Sequence, residues 1–362
     1  MTHALSLYLD AVRFGAAFTV FLSHYGTGRI SGGAFWYVAN YGRAAVVVFF
    51  VLSGFVVAWV TETREGNLED YALSRLARLY SVIIPTFLLT AALDCAGKTL
   101  SPRLYGREWG HATAHPLLDY LLSAAFLGES WSAKALPGFN VPFWSLNYEA
   151  WYYALFGIAT FLRGRTRAAA LAVVALIVGP KILLLLPVWL MGVAAWHWRA
   201  SFSGQFAWPL VCLSLTILIT LEALGGERLF WHPAGQWLPP GYSAYDYVIG
   251  TLVALSILGL ADLRLPVPGA RVERVVRWLA GTSFGLYLFH YPLLNFFGTV
   301  VPGPPDETMH RIFVFALALG TAVGLAYVIE PRKREVKYAL RSALDALRAR
   351  HSEKALARQR LS

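Results

Sequence analysis

Arg13 and His24 stand eleven residues apart in LDAVRFGAAFTVFLSHYG (9–26), a stretch apolar enough to enter a bilayer. At 100° per residue they fall within about 20° of one another on a single helix face, separated by about 16 Å along the axis. Ionisable groups inside a membrane cost about 2.5–3.5 kcal/mol each on insertion scales, so they are candidates for function by default. A histidine can act as a general base, and a guanidinium binds carboxylates and phosphates. Asp10, one turn before Arg13, can pair with it on the same face. The structural alternative is an Asp10–Arg13 pair and a histidine at an interface.

A second group lies in FWSLNYEAWYYALF (143–156). Glu149 is expected at a depth similar to His24, with Ser145 a turn above it and Tyr152 and Tyr153 a turn below. A carboxylate at that depth needs a partner, and His24 is the natural one, because a carboxylate orients an imidazole and stabilises its protonated form. Ser, Tyr or backbone groups are the alternative partners. Asp10, Ser53, Trp144, Ser145 and Tyr152 are expected to line the pocket. In RLAR (75–78), Arg75 and Arg78 at i, i+3 form a cationic fork suited to phosphates, or an ordinary basic flank. SFGLYLFHYPLL (283–294) puts Ser283, Tyr287 and His290 on one face, as a pocket wall or a packed aromatic helix. Glu330 in YVIEPR is expected as a structural polar residue pairing with a nearby arginine.

The elements that hold these groups are apolar helices. Of 362 residues, 57% are hydrophobic and 14% charged, and the mean hydropathy is +0.51. A soluble chain carries about a quarter charged residues, so the class is an all-α polytopic membrane protein. Segments near the 20 residues a span needs are 5–25, 42–61, 77–96, 144–162, 168–186, 187–198, 206–224, 245–262, 278–300 and 310–330. The expectation is a bundle of about ten transmembrane helices, divided at Pro187 between the fifth and sixth, with both termini cytoplasmic. In that topology the inner segments carry 21 Lys/Arg and the outer ones nine, as the positive-inside rule requires. The first segment has no positive n-region and no small-residue cleavage site, so it is expected as a retained helix. The largest outer loop, 97–143, contains a shorter apolar run, 117–127, expected to be interfacial or re-entrant.

Two parts follow: a transmembrane domain, 1–330, and a basic tail, 331–362, with ten Lys/Arg against three acids. Directly after a membrane helix such a tail is expected on anionic headgroups, not on nucleic acid. Cys95 and Cys212 imply neither a disulfide nor a metal. His111 and His115 have metal-like spacing, but a single pair is insufficient and no metal is assigned. There is no Gly-rich phosphate loop and no nucleophile elbow.

Taken together, LDAVR followed by His24, FFVLSGFVV (49–57), RLARLY (75–80), PFWSLNYEAWYY (142–153), SFGLYLFHYPLL and VIEP (328–331) resemble the acyltransferase-3 family of integral membrane O-acyltransferases. That family includes O-antigen, Nod-factor and macrolide acyltransferases. The resemblance runs nearly to residue 331. It implies acyl transfer, acetyl being the expected group, from cytoplasmic acyl-CoA as co-substrate to a hydroxyl of a sugar or glycan at the extracytoplasmic side, with no tightly bound cofactor. On this resemblance His24 is the base and Glu149 its partner, while Arg13, Arg75 and Arg78 bind acyl-CoA. The chain departs from the family pattern at Val47, where members often carry an Asp, and it ends in a basic tail without the esterase-like domain some relatives append. The competing readings are a proton-coupled transporter, or the same enzyme class acting on a cytoplasmic small molecule such as a macrolide. The localisation implied is the cell membrane, which is the inner membrane if the source is bacterial. Oligomeric state stays open.

Overall fold

The computed structural model describes residues 1–102, 105, 115–201, 206–229, 243–263, 266 and 268–359. They are helical, with no strand among the described residues. In order the helices are α1 (His3–Tyr25), α2 (Gly28–Ser31), α3 (Trp36–Ala39), α4 (Gly42–Arg64), α5 (Leu68–Leu100) and α6 (Pro116–Ala124). There follow α7 (Trp144–Phe161), α8 (Gly164–Trp198), α9 (Ala207–Ala223), α10 (Tyr245–Asp262), α11 (Ala270–Gly281), α12 (Ser283–Val300), α13 (Thr308–Ile329) and α14 (Lys333–Gln359). Six stretches are long and apolar enough to cross a membrane: α1, α4, α5, α8, α10 and the α13–α14 run. The two helices richest in site residues, α7 and α12, are 18 residues each and are not among the six. Their polar and aromatic content lowers their hydropathy, which is the mark of helices that face a bundle interior instead of lipid.

Local chemistry sets the helix ends. Thr2 caps α1 by accepting from the Leu5 N–H at 3.2 Å, and Asn67 caps α5 by accepting from Asp70 N–H at 2.8 Å. Glu69 and Asp70 fall in the first turn of α5, where the helix dipole favours acids.

The structure starts α5 at Leu68 and not at 77, divides the expected segment 278–300 between α11 and α12, and moves one helix break. The expected division at Pro187 is absent; α8 breaks eight residues earlier, at Gly179, where φ 75° and ψ 177° are open only to glycine. Pro180 follows and cannot donate to the preceding turn. The broken turn keeps its carbonyls satisfied: Trp131 N–H donates to Val178 at 3.1 Å, and the Trp131 indole donates to Leu176 at 2.8 Å. Interrupted helices survive in a membrane because other groups re-satisfy the freed backbone in this way. Past the break, Pro187 sits in regular helix.

Small residues let the bundle close. A Cβ on Gly54 of α4 would collide with the Trp189 carbonyl, and one on Gly192 of α8 with the Val51 carbonyl. The two backbones therefore lie in direct contact, the small-residue packing typical of membrane helices. The polar groups of α7 act as ties. Tyr71 donates to the Tyr153 carbonyl at 2.8 Å, Tyr152 to Ile182 at 2.8 Å, and the Trp151 indole to Phe126 at 2.7 Å.

The bundle has two distinct ends. At the end where α1 starts, His3 meets Glu273 of α11 at 3.0 Å and Arg277 meets Asp10 at 2.7 Å. On the same end α14 lies along the start of α5, through Lys337–Ser74 at 2.7 Å, Arg348–Glu69 at 2.6 Å and an Arg341–Asp70 pair. At the other end, Arg29 donates to Tyr291 and Asn295 at 2.8 and 2.9 Å, and Arg43 grips Asp246 with two bonds of 2.8 and 2.5 Å. The apolar run in 97–143 forms the short helix α6, whose last carbonyl, at Ala124, accepts from Tyr80 of α5 at 2.7 Å.

Candidate active site

Three adjoining cavities run between α1, α4, α5, α7 and α12. The first, about 200 Å³, opens at the end where α1 begins. Its wall carries Asp10, Arg13, Arg78, Arg277, Glu330 and Lys333. Asp10 holds both guanidiniums of its neighbours, Arg277 at 2.7 Å and Arg13 at 3.4 Å. Glu330 accepts from the Gly285 N–H at 2.8 Å, at the start of α12. Arg78 lies over the Phe284 ring, 5.8 Å from its centre, and has no hydrogen-bond or ion-pair partner among the described residues. A cation left open beside two others is a ready site for an anion.

The expected Arg75–Arg78 fork does not form. Arg75 turns away into the helix packing and pairs with Glu65 at 2.7 Å, beneath the rings of Tyr71 and Tyr153. An i, i+3 spacing makes the two side chains neighbours, but Glu65 lies within ion-pair reach of Arg75 and captured it. Sequence reasoning missed Arg277 and Lys333. Both sit in basic runs that read as cytoplasmic flanks, and only tertiary contact brings them to Arg13.

The second cavity is narrow, about 40 Å³, and shares Arg13, Arg78, Ser283 and Phe284 with the first. Glu149 lines it and accepts from Ser53 at 2.6 Å and from Tyr153 in a very short bond. Ser145 and Tyr287 close its far side. Their hydroxyls are 2.7 Å apart, and Tyr287 also donates to the Pro142 carbonyl at 3.0 Å. Tyr152, expected to line the pocket, instead spends its hydroxyl on the Ile182 carbonyl and lies in none of the three walls.

Beyond Tyr287 lies the third cavity, about 830 Å³, lined by His24 together with Trp144, Arg43, Lys134 and Lys181. Val46 and Tyr287 belong to both this cavity and the second. The expected His24–Glu149 bond is not present. The group set against His24 is His290: the two rings stack with centres 5.3 Å apart and 30° between planes, and Tyr291 meets His24 edge-on at 4.8 Å. Fully buried, His290 directs Nδ1 at the Leu286 carbonyl at 3.0 Å, so that N–H donates and Nε2 is left with a lone pair and no partner. The His24 ring has no hydrogen-bond partner among the described residues. Its nitrogens are thus free to meet a molecule in the cavity.

One ion pair of this cavity was not foreseen. Lys181, buried just past the helix break, pairs with Glu129 and donates to the Ala133 carbonyl at 3.0 Å. Burial pushes the Glu129 carboxyl above its usual range, and Lys181 pulls it part of the way back. A lysine at the head of KILLLL was the available signal. Of the two histidines with metal-like spacing, His115 lies in the described structure and His111 lies outside the described residues.

This geometry meets its relatives at the level of sequence. Residues 6–330 match the model of a family described as an acyltransferase domain, and the chain belongs to that family. Acyltransferase MdmB of Streptomyces mycarofaciens is 31% identical over 157 residues, covering 41% of this chain and 37% of that protein. The match therefore spans little more than a third of that relative's length. No solved structure matches the chain. Family and apolar helices together mark an integral membrane protein.

Proposed function

We propose that this protein is a membrane O-acyltransferase that moves a short acyl group, acetyl in the simplest case, from acyl-CoA to a hydroxyl of a carbohydrate. The observation that carries the reading is the series of three cavities, which share walls from an open guanidinium to a free imidazole. In this reading the phosphates of coenzyme A bind at Arg78, Arg13, Arg277 and Lys333. The thioester arm points through the narrow middle cavity toward Tyr287. The narrowness of that middle cavity suits a small acyl group better than a long chain.

His24 takes the proton of the acceptor hydroxyl as that oxygen attacks the thioester carbonyl. The new C–O bond forms, the C–S bond breaks, and the proton passes from the imidazolium to the departing thiolate. A positioned base of this kind contributes roughly a hundred- to ten-thousand-fold. His290 acts through His24, holding its ring by stacking. Glu149, with Ser53 and Tyr153 as its partners, places a negative charge in the middle cavity facing Arg13 and Arg78, and we assign it to shaping that passage.

The same reading gives ten membrane traversals, in which the two halves of α8 count separately on either side of Gly179. It puts both termini and the first cavity in the cytoplasm, supported by the Lys/Arg excess of the segments at that end. The third cavity then faces outward, from the inner membrane of a bacterium. Residues 331–362 form a basic cytoplasmic extension.

The test uses purified protein in nanodiscs with labelled acetyl-CoA and sugar acceptors. The expected result is labelled ester that disappears with His24→Ala, while the variant still inserts and purifies. Accumulation of a solute in vesicles without any ester would replace the enzyme by a carrier. Ester on a small non-sugar alcohol only would move the acceptor to another class.

A further inference from the structure

A fourth cleft lies beside the third cavity and is used by nothing described so far. It measures about 560 Å³ and is lined by Trp36, Tyr37, Asn40, Tyr41, Glu222 and Arg228. Arg43 is shared between it and the His24 cavity, and its guanidinium is fixed by two bonds to Asp246, at 2.8 and 2.5 Å. The two spaces therefore flank one rigid side chain. Trp36 and Tyr37 are 72% and 55% exposed, and their rings meet edge to face with centres 6.1 Å apart. They follow Phe35, whose φ of 58° is an uncommon and costly conformation for a bulky residue. Backbone held in such a conformation clusters at ligand clamps and active sites.

We propose that this cleft is a distal acceptor subsite for a saccharide chain, so that the acceptor is an oligosaccharide or glycan and not a single sugar. The inference rests on the acyltransferase reading above. The chemistry fits a sugar ring: aromatic faces cover its C–H surface, and the Asn40 amide and the Arg228 guanidinium can take its hydroxyls, while Glu222 accepts from Tyr245 at 3.1 Å. Each cavity alone falls in the size range of a drug-sized ligand. Together they exceed what one ring would fill. Binding in a remote subsite can be used to position the reacting hydroxyl, so a truncated acceptor loses turnover as well as affinity.

The experiment measures transfer from labelled acetyl-CoA to matched mono-, di- and tetrasaccharides of glucose, mannose, galactose, rhamnose and N-acetylglucosamine. For the sugar that reacts, kcat/KM should rise about 10-fold or more from mono- to tetrasaccharide, equivalent to about 1.4 kcal/mol. Trp36→Ala and Arg228→Ala should collapse that ratio toward one and leave the monosaccharide rate unchanged. Trp36→Phe should restore most of it. Rates independent of chain length, or a length dependence untouched by both alanine variants, overturn the subsite while leaving the acyltransferase reading intact. Transfer to no sugar of any length overturns the carbohydrate acceptor and the subsite with it.

Discussion

The two ends of α1 handle their polar residues in opposite ways. At its start, Asp10 bonds Arg13 and Arg277, and these share one small opening with Arg78, Glu330 and Lys333, four cations against two acids. At its far end, the His24 ring packs against His290 and Tyr291, has no ion-pair partner among the described residues, and lines an 830 Å³ cavity. One end suits a multiply charged anion, for which an excess of fixed cations is needed. The other suits proton transfer by a neutral imidazole, which a neighbouring carboxylate would have tied down. One helix separates the two tasks by its length.

The contrast can be broken most severely at His24. Replacing it by alanine should lower transfer about 10²–10⁴-fold, with unchanged insertion and unchanged affinity for acyl-CoA, measured by ester formation and by donor titration. Residual activity within a few-fold of wild type would remove the base from that end of α1. Next in size is Arg75→Ala, which strands the buried Glu65 carboxylate. Breaking a buried pair costs about 3–5 kcal/mol, so thermal stability in detergent should fall, while the apparent KM for acyl-CoA in folded protein should stay near wild type. A large KM change there would return Arg75 to the donor site.

Arg78→Ala sharpens the comparison from the other side. Loss of one charge-assisted hydrogen bond is worth about 1.5–3 kcal/mol, so KM for acyl-CoA should rise about 10- to 100-fold with kcat little changed. Equal effects on kcat and KM would argue for a role at the reacting centre. The smallest effect concerns the edge of the first cavity. The carboxyl of Glu273 is held below its ordinary value, first by the hydrogen bond from His3 and then by Arg277. That attachment is present above the ordinary glutamate pKa of about 4.3 and fades as pH falls through the lowered value. Hydrogen exchange in α11 should therefore quicken on acidification below that range, and exchange in α12 should not.

Much of this protein was legible in one dimension. Hydropathy marked the apolar helices but not their exact bounds or the break in α8, and it gave no sign of the 27-residue basic helix α14, because a bilayer demands apolar runs and α14 has none. The rule that lipid rejects charge picked out Arg13, His24, Glu149 and His290, and spacing put Arg13 and His24 on one face. What spacing could not decide was partnership. Glu149 took Ser53 and Tyr153, Arg75 took Glu65, and His24 took His290, because packing of α4, α5 and α12 against α1 and α7 chose which neighbour lay nearest. Arg277, Lys333 and Lys181 gained their places only through contacts between segments far apart in the chain. The amino-acid order alone settled which residues must be sheltered from lipid, since that cost is paid residue by residue. Which of them face one another depended on helix packing, and packing is a property of the whole bundle.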